Sequence, residues 1–193
     1  MIGFGTPHDA FATVIAFCWL VFLVVWAVSA LFVKRTIERS LGGVRLLTLA
    51  VLIAVIAGAT RGFPGLRQTL WSRTPGVGVL AALLTMMGLA IALWARAALG
   101  TNWSGTITFK EGHELIQRGP YAYVRHPIYS GLLLMGLGTA IASARLSSLL
   151  MLVLALVVLA IKAHYEERLM IRHFPAAYPQ YRARVKALIP GVW

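Results

Sequence analysis

Five apolar runs divide this chain. The first, Ala10 to Val33, carries no charged residue, and at 1.5 Å per residue it crosses a hydrocarbon core of about 30 Å. It is too long for the core of a signal peptide, and no basic segment precedes it. The second, Leu46 to Thr60, is short and spans only if Arg45 and Arg61 snorkel at its ends. Gly76 to Ala95 is a good span. Pro127 to Ala144 and Leu146 to Ile161 follow, separated only by Arg145, which predicts a tight helical hairpin. The pattern predicts an all-α integral membrane protein with five transmembrane helices, over about residues 10–33, 46–60, 76–95, 127–144 and 146–161. No internal repeat or domain boundary is visible, so residues 1–193 are expected to form a single membrane domain.

Composition agrees. Of the 193 residues, 59% are hydrophobic and 12% charged, about half the charged share of a soluble domain, and the mean hydropathy is +0.78. These values exclude a soluble globular domain, a disordered chain and a disulfide-stapled secreted module. The single cysteine, Cys18, lies inside an apolar run and excludes an intrachain disulfide. The net charge of +12 would suggest nucleic acid in a soluble protein. Here the basic residues flank apolar runs, so membrane topology accounts for them, with anionic lipid headgroups as neighbours and no nucleic-acid partner.

Those charges set an orientation. Lys34, Arg35, Arg39, Arg45, Arg96, Lys110, Arg118, Arg125, Lys162, Arg168, Arg172, Arg182, Arg184 and Lys186 fall in the first and third loops and the tail; Arg61, Arg67, Arg73 and Arg145 fall on the other side. Fourteen against four predicts an outside N-terminus and a cytoplasmic C-terminus, in a bacterial inner membrane.

The polar chemistry gathers on the cytoplasmic side. The segments 96–126 and 162–193 hold four of the six carboxylates, Glu111, Glu114, Glu166 and Glu167, and four of the five histidines, His113, His126, His164 and His173. Ionisable groups concentrated at one face of so apolar a chain mark the place to look for its chemistry. Gly100, Gly105, Gly112 and Gly119 make the first of these segments turn-rich. Pro127 suits the first turn of the fourth helix, which puts His126 at that helix's start, beside unpaired backbone donors suited to a carboxylate or phosphate. The alternative is a plain helix start, with Arg125 and His126 meeting lipid headgroups. Lys162 and Glu166, four apart, share one helix face, either as a surface ion pair or turned together to a pocket. The tail from Phe174 to Val185 reads as a short amphipathic helix on the membrane, with Tyr178 and Tyr181 as interfacial anchors.

Several chemistries lack their parts. There is no P-loop or dinucleotide glycine fingerprint, no histidine spacing typical of zinc, and no aspartate on the cytoplasmic side for a Ser-His-Asp triad. No metal is expected.

Asn102-Trp103-Ser104, His113 with Leu115-Ile116, Gly119-x-Tyr121, Arg125-His126-Pro127-x-Tyr129, the pair Glu166-Glu167, and the Phe174, Tyr178, Tyr181 tail together resemble the isoprenylcysteine carboxyl methyltransferase family, part of a wider group with membrane phospholipid methyltransferases. The likeness runs from Leu99 to Pro190. It implies S-adenosylmethionine bound in a pocket formed by the cytoplasmic loop and the C-terminal helical tail, contacted by His113, Glu114, Leu115, Ile116, Tyr121, His126, Pro127, Ile128, Tyr129 and Glu166. A family arginine implicated in substrate handling falls at Lys162, which keeps the charge without the bidentate fork. The acceptor implied is lipophilic, most closely a prenylated carboxylate. A phospholipid amine, a small thiol, a nicotinamide-dependent lipid reductase, and a transporter or structural membrane protein are the alternatives.

Overall fold

The computed structural model describes residues 7–31, 36–39, 66, 68–100, 108–110 and 115–191. Its helices are α1 (Pro7–Leu31), α2 (Pro75–Leu99), α3 (Pro127–Ser143), α4 (Leu146–His173) and the short α5 (Ala177–Arg184). A 3-10 turn, Gly119–Ala122, precedes α3. Four of the five expected spans coincide with α1 to α4; the second, 46–60, lies outside the described residues. Three of these helices are long and apolar enough to cross a membrane, and α3 is a shorter apolar helix of 17 residues. The protein is an integral membrane protein. One feature departs from the all-helical expectation. Thr36–Arg39 (β1) pairs antiparallel with Thr108–Lys110 (β2), tying the first loop to the third.

Small residues build the main helix seam. On α2 the buried positions are Gly78, Ala81, Ala82, Thr85, Gly88, Ala92 and Ala95, spaced at three and four so that they line one face. Facing them, α3 buries Gly131, Met135 and Gly138. A Cβ placed on Gly88 would lie 2.5 Å from the Gly131 carbonyl oxygen and 2.7 Å from the Met135 nitrogen. The backbones therefore touch, as small residues allow where apolar burial gives no net drive for association. Thr85, wholly buried here, donates its hydroxyl to the Ala81 carbonyl at 2.9 Å and leaves no polar atom facing lipid. Cys18 and Phe22 of α1 close over this seam around Ala92 and Met135, and Trp19 Nε1 donates to Thr139 Oγ1 at 3.0 Å. The other sides of α1 and α4 expose Phe17, Leu20, Leu23, Leu150, Val153 and Val157, a surface suited to acyl chains.

The hairpin expected at Arg145 is present. Ala144 takes a left-handed conformation (φ 52°) and its N–H closes the last turn of α3. The segment before α2 ties the hairpin tip down. Leu70 N donates to Ala144 O at 2.8 Å, Trp71 Nε1 to Ile141 O at 3.1 Å, and Arg73 Nη2 to Ser143 O at 2.7 Å. At the opposite end α4 continues past its apolar part without a break. Its 28 residues make about 42 Å of helix, longer than the hydrocarbon core, and the excess lifts Lys162 through His173 beside the start of α3.

Candidate active site

The site lies where α3 begins and the projecting end of α4 passes it. Pro127 opens α3 as expected, with His126 as the preceding residue. Around them Ala95, Tyr121, Ile128, Tyr129, Ala163 and Leu188 form a buried cluster, with Ile116 packed against it. Helix α2, the 3-10 turn, α3, α4 and the tail thus each contribute a wall.

Polar groups stand on this apolar floor. Tyr129 donates its hydroxyl to Glu166 Oε1 at 2.6 Å. The His126 ring stacks on that of Tyr129, centroids 5.3 Å apart and nearly parallel, and Lys162 Nζ lies 5.3 Å from the Tyr129 centroid. His126 Nδ1 is 3.5 Å from Glu166 Oε2 and its Nε2 is 3.2 Å from Glu167 Oε1. Arg125 grips the same Glu167 oxygen through Nε at 2.8 Å and Nη2 at 2.7 Å. Arg182 Nε reaches the second oxygen at 3.3 Å. The two glutamates therefore differ. The Glu167 side chain is 8% exposed and filled with partners, whereas that of Glu166 is 25% exposed.

The His126 environment favours its charged form. Burial alone pushes its pKa down, but the hydrogen bonds and charges of Glu166 and Glu167 outweigh it and hold the pKa above the ordinary value. When protonated, the ring can donate from Nε2 to Glu167 and lies with Nδ1 at ion-pair distance from Glu166.

Most of the residues singled out in the sequence meet here. Tyr121, Ile128 and Tyr129 are part of the cluster, and His126, Pro127, Lys162 and Glu166 stand on the same two helices; Ile116 packs against the cluster, and Leu115 is half-buried. His113 and Glu114 lie outside the described residues. One alternative falls and one expectation changes. His126 does not lie among headgroups: its side chain is 9% exposed, because two carboxylates draw it inward. The tail does not rest on the membrane with tyrosine anchors. Tyr178 and Tyr181 are buried, Tyr181 donates its hydroxyl to the Tyr121 carbonyl at 2.6 Å, and burial pushes both phenols' pKa values up. Sequence reading also missed Arg125, Glu167 and Arg182 as partners. They are far apart in the chain, and no local period links them. Among the described residues no group of three or more His, Cys, Asp or Glu side chains is placed to hold a metal.

The sequence model of the phospholipid methyltransferase family matches residues 77–177, from the start of α2 through both glutamates. This chain belongs to the phospholipid methyltransferase family. Membership makes it a membrane methyltransferase. Within the family it is similar to protein-S-isoprenylcysteine O-methyltransferase B of Arabidopsis thaliana, 29% identical over 149 residues, which are 75% of this chain and 73% of that one. It is also similar to the nickel-cobalt-cadmium resistance protein NccN of Alcaligenes xylosoxydans xylosoxydans, 32% identical over 76% of this chain and 62% of that protein. Among solved structures, the eukaryotic intramembrane Ras methyltransferase, isoprenylcysteine carboxyl methyltransferase, shares the fold, with a TM-score of 0.55 at 17% identity. The match covers 81% of this chain and 55% of that one.

Proposed function

We propose that this family member transfers the methyl group of S-adenosylmethionine to the carboxylate of a lipophilic acceptor of the isoprenylcysteine type, at the cytoplasmic face of a bacterial inner membrane. The N-terminus lies outside, the C-terminus inside, and the whole chain acts as one domain. The observation that carries this reading is Glu166: a carboxylate held by Tyr129 and His126 yet one quarter open. A fixed, part-exposed acceptor suits the ribose hydroxyls or adenine amine of the methyl donor, so the residues present fit that group. His113, Glu114, Leu115, Ile116, Tyr121, Pro127 and Ile128 complete its expected binding set.

When bound, S-adenosylmethionine supplies a methyl group on a sulfonium, which a carboxylate takes by in-line displacement while the C–S bonding electrons stay on sulfur. Tyr129 and His126 fix the direction of Glu166, and the apolar floor of Tyr121, Ile128 and Ala163 excludes water. Lys162, held over Tyr129, supplies positive charge for the acceptor carboxylate. An anionic acceptor is favoured over an amine for a chemical reason. Beside Glu166 both nitrogens of His126 are committed to carboxylates, whereas an ammonium must lose a proton before it can attack. A carboxylate needs no base.

The test uses purified protein in detergent with labelled S-adenosylmethionine. The acceptors are a prenylated cysteine acid, its amide, and a phospholipid with a primary amine. Label entering the acid and not the amide supports the reading. Label entering only the amine overturns the acceptor class.

A further inference from the structure

The chain beyond residue 177 lies outside the segment that the family model matches, yet it makes several of the polar contacts at the site. Glu167 is their centre. Its Oε1 takes Arg125 Nε, Arg125 Nη2 and His126 Nε2; its Oε2 takes Arg182 Nε. The third nitrogen of Arg125 donates to the carbonyls of Arg182 and Val185, at the end of α5, where helix carbonyls lack intrahelical partners. From there the chain runs back across the start of α3. Arg125 N donates to Lys186 O at 2.8 Å, and His126 N to Ala187 O at 3.0 Å. Ser130 Oγ donates to Leu188 O at 2.6 Å. The segment from Tyr178 to Leu188 is thus strapped to the residues flanking His126 on both sides.

We infer that this strap completes the site and that Arg182, on α5, is a positioning residue: through Glu167 it sets His126, and through His126 it sets Glu166. A carboxylate turns readily about its terminal bond, whose torsion is broad and two-fold. Arg125 and His126 share one oxygen, so a donor on the other oxygen is what fixes the plane. With that plane fixed, the imidazole keeps Nδ1 towards Glu166. Arg182 itself is 52% exposed, so its ion pair contributes little to stability, and the protein should fold without it. Its part in methyl-donor binding rests on the function proposed above.

The experiment compares full-length wild type, Arg182→Ala, Arg182→Lys, Glu167→Ala and the double variant Glu167→Ala/Arg182→Ala in one detergent. S-adenosylmethionine is titrated calorimetrically, and amide hydrogen exchange is followed at Arg125 and His126. Arg182→Ala should weaken binding about five- to tenfold, and the double variant should bind no worse than Glu167→Ala, because the two residues act as a unit. Arg182→Lys, which keeps a donor for Oε2, should recover most of the affinity. Exchange at both amides should quicken in Arg182→Ala, since they donate to the strap. An unchanged dissociation constant in Arg182→Ala, or losses that multiply in the double variant, would overturn the positioning role. If wild type itself fails to bind S-adenosylmethionine, the methyl-donor reading falls and the exchange data alone judge the strap. Faster exchange then upholds it, and unchanged exchange overturns it.

Discussion

The seam between α2 and α3 and the polar cluster at its end are held together in opposite ways. Along the seam, contact comes from side chains that are missing: Gly88 meets Gly131 and Met135 backbone to backbone. In the cluster, contact comes from side chains that are long and charged, with Arg125 and His126 at the start of α3 and Arg182 on α5 reaching Glu167 from two segments. The seam tolerates no added atom but has no chemistry to lose. The cluster has room at Glu166 but cannot lose Glu167 without stranding Arg125 and His126. The first region joins the helices, and the second is where the methyl donor is proposed to bind.

Added bulk should break the seam outright. Gly88→Leu places atoms where the α3 backbone runs, and overpacking against backbone costs about 3 kcal/mol or more. Loss of a monodisperse folded species in size-exclusion chromatography is the expected result. Gly136→Ala is the control. Its Cβ would meet only the tip of the Leu152 side chain, at 3.2 Å, and the melting temperature should stay near wild type.

Removing a charge should break the cluster while sparing the seam. Glu167→Ala leaves Arg125 without its carboxylate in a nearly buried position, and stripping one partner from a buried pair costs about 3–5 kcal/mol. The melting temperature should fall sharply, with helical content by circular dichroism retained below it. A smaller change sharpens the comparison. Tyr129→Phe keeps the ring stack on His126 but loses the 2.6 Å hydrogen bond to Glu166. A hydrogen bond to a charged group is worth about 1.5–3 kcal/mol of stability, so the melting temperature should fall by less than in Glu167→Ala, and donor affinity should weaken because Glu166 is no longer held in direction.

The smallest effect is pH dependence. His126 has its pKa raised in the folded protein. The stability it contributes is therefore complete below the unfolded value of about 6.5 and is lost as pH rises through the higher folded value. Melting temperature should decline over that window, and His126→Gln should flatten the profile. A wild-type profile that rises with pH there would contradict the charge assigned to the imidazole.

The two regions were unequally legible in the sequence. The spans were readable because hydrophobic length alone sets them, and the turn at Ala144 and Arg145 because a lone charge interrupts two apolar runs. Pro127 marked the start of α3 through its missing N–H. The site was readable in part through local signals, since Pro127 puts His126 at a helix start and Lys162 precedes Glu166 by one helical turn; Tyr121 and Tyr129 came only from the family resemblance. What stayed hidden was contact across segments. Glu167 sits next to Glu166, and nothing local says that it faces Arg125, 42 residues away, or Arg182 on α5. The tail read as membrane-bound because its tyrosines and arginines match an interfacial composition. They are drawn inward by the Tyr121 carbonyl and by Glu167, neither of which the tail's own sequence announces. The ribbon of β1 and β2 was missed for the same reason, since it pairs two short loop segments about seventy residues apart.

The open glutamate, Glu166, and not the sealed Glu167, is the one proposed to receive the methyl donor. The direct measurement is calorimetric titration of S-adenosylmethionine into wild type and Glu166→Gln, purified in the same detergent. The variant keeps the shape and one acceptor oxygen, so the fold should be unchanged. The account predicts saturable one-site binding to wild type and a loss of about tenfold or more in Glu166→Gln, as expected for charge-assisted hydrogen bonds that become neutral. Equal affinities in the two proteins, each well folded, would contradict it.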